Sequence, residues 1–431
     1  MHVTRAFAAV WILTLVVVVV QFTVRSVFIS SDTDSYFRAI DVFLSGNVDS
    51  FRTPVYPMVL YFCRGIFGWF GALKGIEAFQ SVAFLFALWY FYQTLHWFVK
   101  KESLKIIATF LLAFPFVTWN NAIVTEPLAV SGSIFLIYFT FALYSRFTPW
   151  RAAAVAFWLL FLVFLRPAFV YLLPIYGLWG LGIWLLANKR PAGAATLAAA
   201  LLTTGLLLGY MKAFENRYGV FAVSKVSLMN NLLSVQHNKA FDPRDISGFP
   251  AGRAFLADEM EYNGVVYIKK RNTFLYTYIL IEKYGIEECD GILQRVNNSH
   301  NIPLENIKTH FPKSRNHTFV ISTWSLVDGL YQKWGITLNV IYWFLGILGL
   351  MLIYQLTRRR ILLFTFLLWT LCAANIAVII IGAPGEWGRL LLPSFPLILI
   401  LAVQSVDWAM RGIPASQILS LKNCRNSEGN S

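Results

Sequence analysis

Residues 6–28 read AFAAVWILTLVVVVVQFTVRSVF, and residues 29–38 continue ISSDTDSYFR. The first stretch is almost wholly apolar. About 20 such residues, rising 1.5 Å each in a helix, cross the hydrocarbon of a bilayer. The run is too long for a signal peptide and no small-residue cleavage site follows it, so it reads as a retained membrane helix. The second stretch turns abruptly polar and acidic, which a helix leaving the membrane on the far side would explain.

The rest of the chain repeats the first pattern. Of 431 residues, 57% are hydrophobic and 16% aromatic, while 13% are charged. That charged share is about half of what a soluble domain carries. It excludes disorder and a nucleic-acid-binding module, and an ordinary water-soluble enzyme would need more polar surface. Ten apolar runs read as spans, at approximately 6–28, 76–98, 104–121, 124–145, 151–165, 168–187, 193–211, 335–355, 361–382 and 388–406. The expected fold class is therefore an all-α polytopic membrane protein. A further apolar stretch at 54–71 carries Pro54, Pro57, Arg64, Gly65, Gly68 and Gly71. It suits a helix lying in the outer interface better than a span.

Charge orients the chain. With the N-terminus inside, Arg5, Lys100, Lys101, Lys105, Arg146, Arg151, Lys189, Arg190, Arg358, Arg359, Arg360, Arg411, Lys422 and Arg425 all fall on the cytoplasmic side. Only Glu102, Asp407 and Glu428 oppose them there. The formal charge of +14 thus marks one membrane face and calls for no nucleic-acid partner. Counting 54–71 as a span would invert everything after it and break this pattern. The expected setting is a multi-pass plasma membrane, the bacterial inner membrane, with both termini cytoplasmic.

Four regions follow: a transmembrane module at 1–211 with a first outer loop at 29–75, an outward lid at 212–334, C-terminal transmembrane helices at 335–411, and a disordered cytoplasmic tail at 412–431. A structureless loop as long as 212–334 is uncommon, so a small α-rich fold is expected there. Cys63, Cys289, Cys372 and Cys424 show no CxxC spacing and read as unpaired thiols.

Ionisable groups at span ends are costly and deserve a functional reading. In Ser31-Asp32-Thr33-Asp34-Ser35-Tyr36 two carboxylates stand two residues apart. Either can act as a general base, and together they can hold a divalent cation. The plain structural reading is a helix cap, Asp34 or Ser35 starting a helix at 35–45. Glu126, in Thr125-Glu126-Pro127, either rests on a positive helix end or faces a site. Arg389, Arg52 and Arg166 carry guanidinium forks suited to a phosphate, although anchoring or pairing with Glu386 would also explain Arg389. No Walker loop, HExxH, GxSxG or strand-borne GxGxxG occurs.

The order of these pieces resembles the GT-C superfamily of integral-membrane glycosyltransferases. The branch with protein O-mannosyltransferases and the lipid A aminoarabinose transferase is most similar. Asp32, Asp34, Tyr36 and Ala39 match its acidic first outer loop. Arg52-Thr53-Pro54-Val55-Tyr56-Pro57 resembles its juxtamembrane element, Val124-Thr125-Glu126-Pro127-Leu128 its T-E-P element, and Gly388-Arg389 through Pro393 and Pro396 its closing helix. The resemblance covers about 1–210 and 335–406 and leaves the lid out.

It implies inverting transfer of a sugar from a polyprenyl-phosphate donor to a lipid, glycan or protein acceptor on the outer face, among membrane lipids. Asp34 or Asp32 would be the base. Glu126 would orient the acceptor or join both aspartates at a metal, Mg or Mn, if one is used. Tyr36, Arg52, Tyr56, Arg166, Glu386 and Arg389 would bind substrate. An O-antigen-type polymerase or ligase would place its arginines in the large loop instead. A lipid-linked sugar transporter would bury polar groups along its spans, and a scaffold would need no acidic loop beside arginines.

Overall fold

The structure is a computed structural model. It describes residues 4–30, 32–186, 189–238, 241–324, 328–330, 337–357 and 363–410. The expected tail at 412–431, with Cys424, lies outside the described residues.

In chain order the helices are α1 (Arg5–Val24), α2 (Thr33–Leu44), α3 (Val55–Phe98), α4 (Glu102–Phe116), α5 (Glu126–Ser145), α6 (Pro149–Leu165), α7 (Leu172–Leu186), α8 (Arg190–Tyr218), α9 (Lys225–Asn238), α10 (Pro243–Ile246), α11 (Pro250–Leu256), α12 (Thr273–Tyr284), α13 (Ile286–Ser299), α14 (Ile302–Ser314), α15 (Leu338–Thr357), α16 (Leu363–Gly382), α17 (Trp387–Leu390) and α18 (Phe395–Met410). Short 3-10 turns at Val117–Asn121, Pro167–Tyr171 and Leu392–Ser394 extend α4 and lead into α7 and α18.

The protein is an all-α polytopic membrane protein. Among the described residues, eight helices are long and apolar enough to cross a bilayer. Two expected spans, 151–165 and 335–355, fall on the shorter apolar helices Pro149–Leu165 and Leu338–Tyr354. The first, 17 residues long, rises only about 25 Å.

The stretch 54–71 is a helix of its own, Val55–Gly68, followed by the span Gly71–Phe98. The break is at Gly68, with φ +70° and ψ 177°. No side chain adopts that backbone cheaply, so glycine permits the turn.

Burial explains the sequence patterns. α1 has only 17% of its apolar window enclosed, against 78% for α5 and for the last helix. The valine run of α1 therefore faces outward, where lipid rather than water would meet Val16, Val19 and Val20. Pro127 in α5 and Pro149 in α6 stand in first helical turns, where their missing N–H costs nothing.

A second apolar core lies within 212–334. Leu232, Ile246, Phe255, Tyr276, Leu280, Ile292 and Val296 pack together there. The segment also holds a hairpin that the sequence reading missed: β1 (Glu259–Tyr262) pairs antiparallel with β2 (Val265–Ile268). Asn263 and Gly264 turn it with φ of +50° and +75°, the left-handed pair that a two-residue hairpin requires.

Candidate functional site

Two chain segments far apart in sequence are stitched at one end of the bundle. Phe28 N donates to Asn121 O (2.9 Å), and Ile123 N donates to Phe28 O (3.1 Å). Thr33 Oγ1 accepts from Ser30 N (3.0 Å) and donates to Ile123 O (3.4 Å). These bonds set the start of α2 beside the start of α5, and so Asp32 beside Glu126.

α2 begins at Thr33, two residues earlier than expected. Asp32 is its N-cap residue, but its side chain makes no capping bond. Its carboxylate turns to Arg52 instead, at 2.8 Å from Nη2 to Oδ1. Asp34, in the first turn, is exposed and has no ion pair among the described residues. Successive helical residues are rotated by 100°, so residues two apart point to nearly opposite sides.

Arg52 is held from several directions. Its Nε donates to Ser35 Oγ (2.7 Å), and its guanidinium lies 4.2 Å from the centre of the Tyr36 ring. Asp49 Oδ1 accepts from Phe51 N (2.8 Å) and Arg52 N (2.7 Å), a local turn that presents the arginine. Burial pushes the Tyr36 phenol above its ordinary value, although the Arg52 charge opposes the rise. The phenol is therefore a neutral hydroxyl.

Glu126 is the first residue of α5, where a carboxylate is favoured by the helix dipole. Its side chain is 3% exposed. Arg166 ends α6 in extended backbone before Pro167, as the residue before a proline must be. Its Nη1 stands 3.8 Å from Glu126 Oε1. Arg389 reaches the same oxygen with Nε at 3.4 Å, and Asp32 Oδ2 with Nη2 at 3.9 Å. Glu386 occupies left-handed backbone, φ +58°, and pairs with Arg389 at 2.8 Å from an exposed position.

The result is an alternating row: Arg52, Asp32, Arg389, Glu126, Arg166. Three guanidiniums face two carboxylates, with Glu386 at the rim. Among the five members of the row, only the Arg52–Asp32 contact has hydrogen-bond length. Arg389 Nε is buried with no hydrogen-bond partner, a costly state that an incoming oxygen would relieve.

Other residues support the row from behind: Tyr56, which the sequence singles out, and Gln80 and the 318–323 segment, which it does not. Tyr56 packs edge-on against Tyr36 at 4.6 Å and donates to Gln80 Oε1 at 3.0 Å. Gln80 Nε2 in turn donates to Asn120 O (2.9 Å) and Ala122 O (3.0 Å). A single buried amide thus joins the helix that follows Arg52 to the segment that precedes Glu126. A strap at 318–323 lies over the other side. Val320 N donates to Gly388 O at 3.2 Å, and Thr323 N donates to Thr118 Oγ1 at 2.8 Å. A Cβ on Gly388 would come within 2.3 Å of Thr318 O, so only glycine fits beside Arg389.

The three carboxylates weighed as metal ligands do not form a ligand set. Asp34 is outside the row, and Arg389 already brings positive charge to both Asp32 and Glu126. No group of three His, Cys, Asp or Glu side chains suited to a metal occurs among the described residues.

No protein-family model matches the chain, and no curated protein matches it in sequence. Solved structures do match. The apo oligosaccharyltransferase of Archaeoglobus fulgidus superposes with a TM-score of 0.51 at 12% identity, over 96% of this chain and 51% of that one. The oligosaccharyltransferase AglB of the same organism, in complex with an inhibitory peptide and a dolichol-phosphate, gives 0.51 at 13% identity, over 99% and 52%. At such identity the likeness is one of fold. The chain has the GT-C fold and spans about half the length of the enzymes it matches.

Proposed function

We propose that the protein is a membrane glycosyltransferase, moving a sugar from a polyprenyl-phosphate donor to a lipid, glycan or protein acceptor. The observation that carries this reading is the alternating row with its unmet Arg389 donor, set at one end of a GT-C bundle. The site is read as facing outward from a plasma membrane.

In this reading Arg389 and Arg166 receive the donor phosphate, where forked, permanently charged donors match its oxygens. Arg52 fixes Oδ1 of Asp32 and leaves Oδ2 for the acceptor. The acceptor oxygen or nitrogen attacks the anomeric carbon on the face opposite the phosphate. A bond from the acceptor to that carbon forms as the carbon–oxygen bond to phosphate breaks. The acceptor's proton passes to Asp32 Oδ2, and the leaving electron pair stays on the phosphate oxygen, facing the arginines. Glu126 orients the acceptor and keeps Arg389 in place. Tyr36 and Tyr56 form the floor, and Glu386 adjusts Arg389 from the rim. Segment 212–334, reached through Lys225 N donating to Ser50 O at 2.8 Å, would cover the site and limit hydrolysis. Asp32 is favoured over Asp34 because only Asp32 joins the row.

The test is mass spectrometry of lipids from cells that lack the protein. A polyprenyl-phosphate sugar should accumulate and clear when the wild-type chain is restored. Unchanged lipid-linked sugars with shortened surface polysaccharide would replace this reading with a polymerase.

A further inference from the structure

α14 is amphipathic in an unusual setting. Its buried side, Ile302, Asn306, His310 and Ser314, faces the bundle. Asn306 Nδ2 donates to Ile381 O at 2.7 Å, and His310 Nδ1 donates to Ile380 O at 2.9 Å. These two bonds cap the last carbonyls of α16, which a membrane helix must otherwise leave to water or headgroups. α14 therefore lies across the end of a span. His310 also packs 5.7 Å from the Trp387 ring, which puts α14 at the same end as Arg389.

A neighbouring side of α14, about a third of a turn round from the buried one, is not polar. Leu304, Ile307 and Phe311, spaced at three and four residues, are 46%, 41% and 41% exposed. Phe311 stacks on Tyr342 of α15 at 5.1 Å, and Ser314 shares a hydrogen bond with the Tyr342 hydroxyl at 2.9 Å. Tyr342 is four residues into α15, about 6 Å below its start. Below it, Trp343 and Ile347 are exposed on the same apolar helix. The α14 stripe thus continues a surface whose depth belongs to lipid. Lys308 and Arg315 flank the stripe, with the Arg315 guanidinium 5.9 Å from the Phe311 ring. Glu305, paired to Lys308 at 2.7 Å, is the one acid on α14.

We propose that α14 lies in the membrane plane, its Leu304, Ile307 and Phe311 stripe among acyl chains and its Lys308 and Arg315 at anionic lipid headgroups. The 212–334 segment is then seated on the leaflet rather than held by its two chain connections alone. An amphipathic helix with apolar and basic faces binds an anionic interface through both terms. This holds whatever reaction the charged row performs.

The test uses the full chain in nanodiscs containing phosphatidylglycerol. Spin labels are placed through Leu304→Cys, Ile307→Cys, Phe311→Cys and Lys313→Cys. Cys63, Cys289 and Cys372 are buried, and labelled wild-type protein gives the background. The ratio of oxygen to nickel-complex accessibility at 304, 307 and 311 should exceed that at 313 several-fold. Nickel reaching all four equally would put the stripe in water and overturn the proposal. Adding Lys308→Gln and Arg315→Gln should lower the ratio at 307 several-fold in phosphatidylglycerol but not in phosphatidylcholine. No change in either lipid would overturn the headgroup part.

Discussion

Two polar clusters lie at different levels of the span Gly71–Phe98, roughly 27 Å apart along it from Gln80 to Phe98. At one level Asp407 is wholly buried, and its two carboxylate oxygens accept from Lys100 N (3.2 Å) and Lys101 N (3.1 Å). Close by, Glu102 accepts from Tyr92, from Thr4 (3.2 Å) and from Lys105 (3.0 Å). At the other level, Glu126 meets two arginines at 3.4 and 3.8 Å and Arg389 Nε bonds nothing. The first cluster has met its hydrogen-bonding capacity within the chain, and the second has not. Buried charge that the fold satisfies is architecture. Buried charge that it leaves short of partners, as at Arg389, is where an incoming oxygen can complete the bonding.

Substitutions can break this contrast. The largest effect is expected for Arg389→Ala and Asp32→Asn. Loss of a charge-stabilising donor or a general base lowers turnover by about 10²–10⁴-fold, and the melting temperature in detergent should fall less than for Asp407→Ala, because asparagine keeps an acceptor for Arg52 and Arg389 Nε has no bond to lose. Asp407→Ala should do the reverse. Losing two charge-assisted bonds to backbone N–H groups costs about 3 kcal/mol or more, read as a lower melting temperature, with turnover per folded molecule unchanged. Gln80→Leu should fall between them. It strands two buried carbonyls and the Tyr56 hydroxyl, about 1–3 kcal/mol, and loosens the segment before Glu126, so stability and turnover drop together. Asp34→Asn sharpens the comparison from below. It should leave both readouts at wild-type values, and a large loss of turnover would move the base from Asp32 to Asp34.

Much of the architecture was legible because apolar runs of bilayer length have few alternatives, and the break before 71 was announced by its glycines. The convergence of Asp32, Glu126, Arg52, Arg166 and Arg389 was foreshadowed because ionisable groups at span ends are scarce. Which aspartate joins them was not readable. It turns on α2 starting at Thr33 rather than near residue 35, and a shift of two positions carries a side chain to the far face. The hairpin has a local signal, Asn263-Gly264 between short β-prone runs, that the expectation of a small α-rich fold for 212–334 leaves out. Gln80 and the 318–323 strap had none. Their partners include backbone carbonyls 40 to 205 residues away, which no local pattern encodes.

The most direct measurement is lipid analysis of deletion cells carrying Asp32→Asn, Asp34→Asn or Asp407→Ala, each matched to wild-type for inserted protein. The account predicts that the polyprenyl-phosphate sugar persists with Asp32→Asn alone and clears with the other two. Full clearance by Asp32→Asn would contradict it.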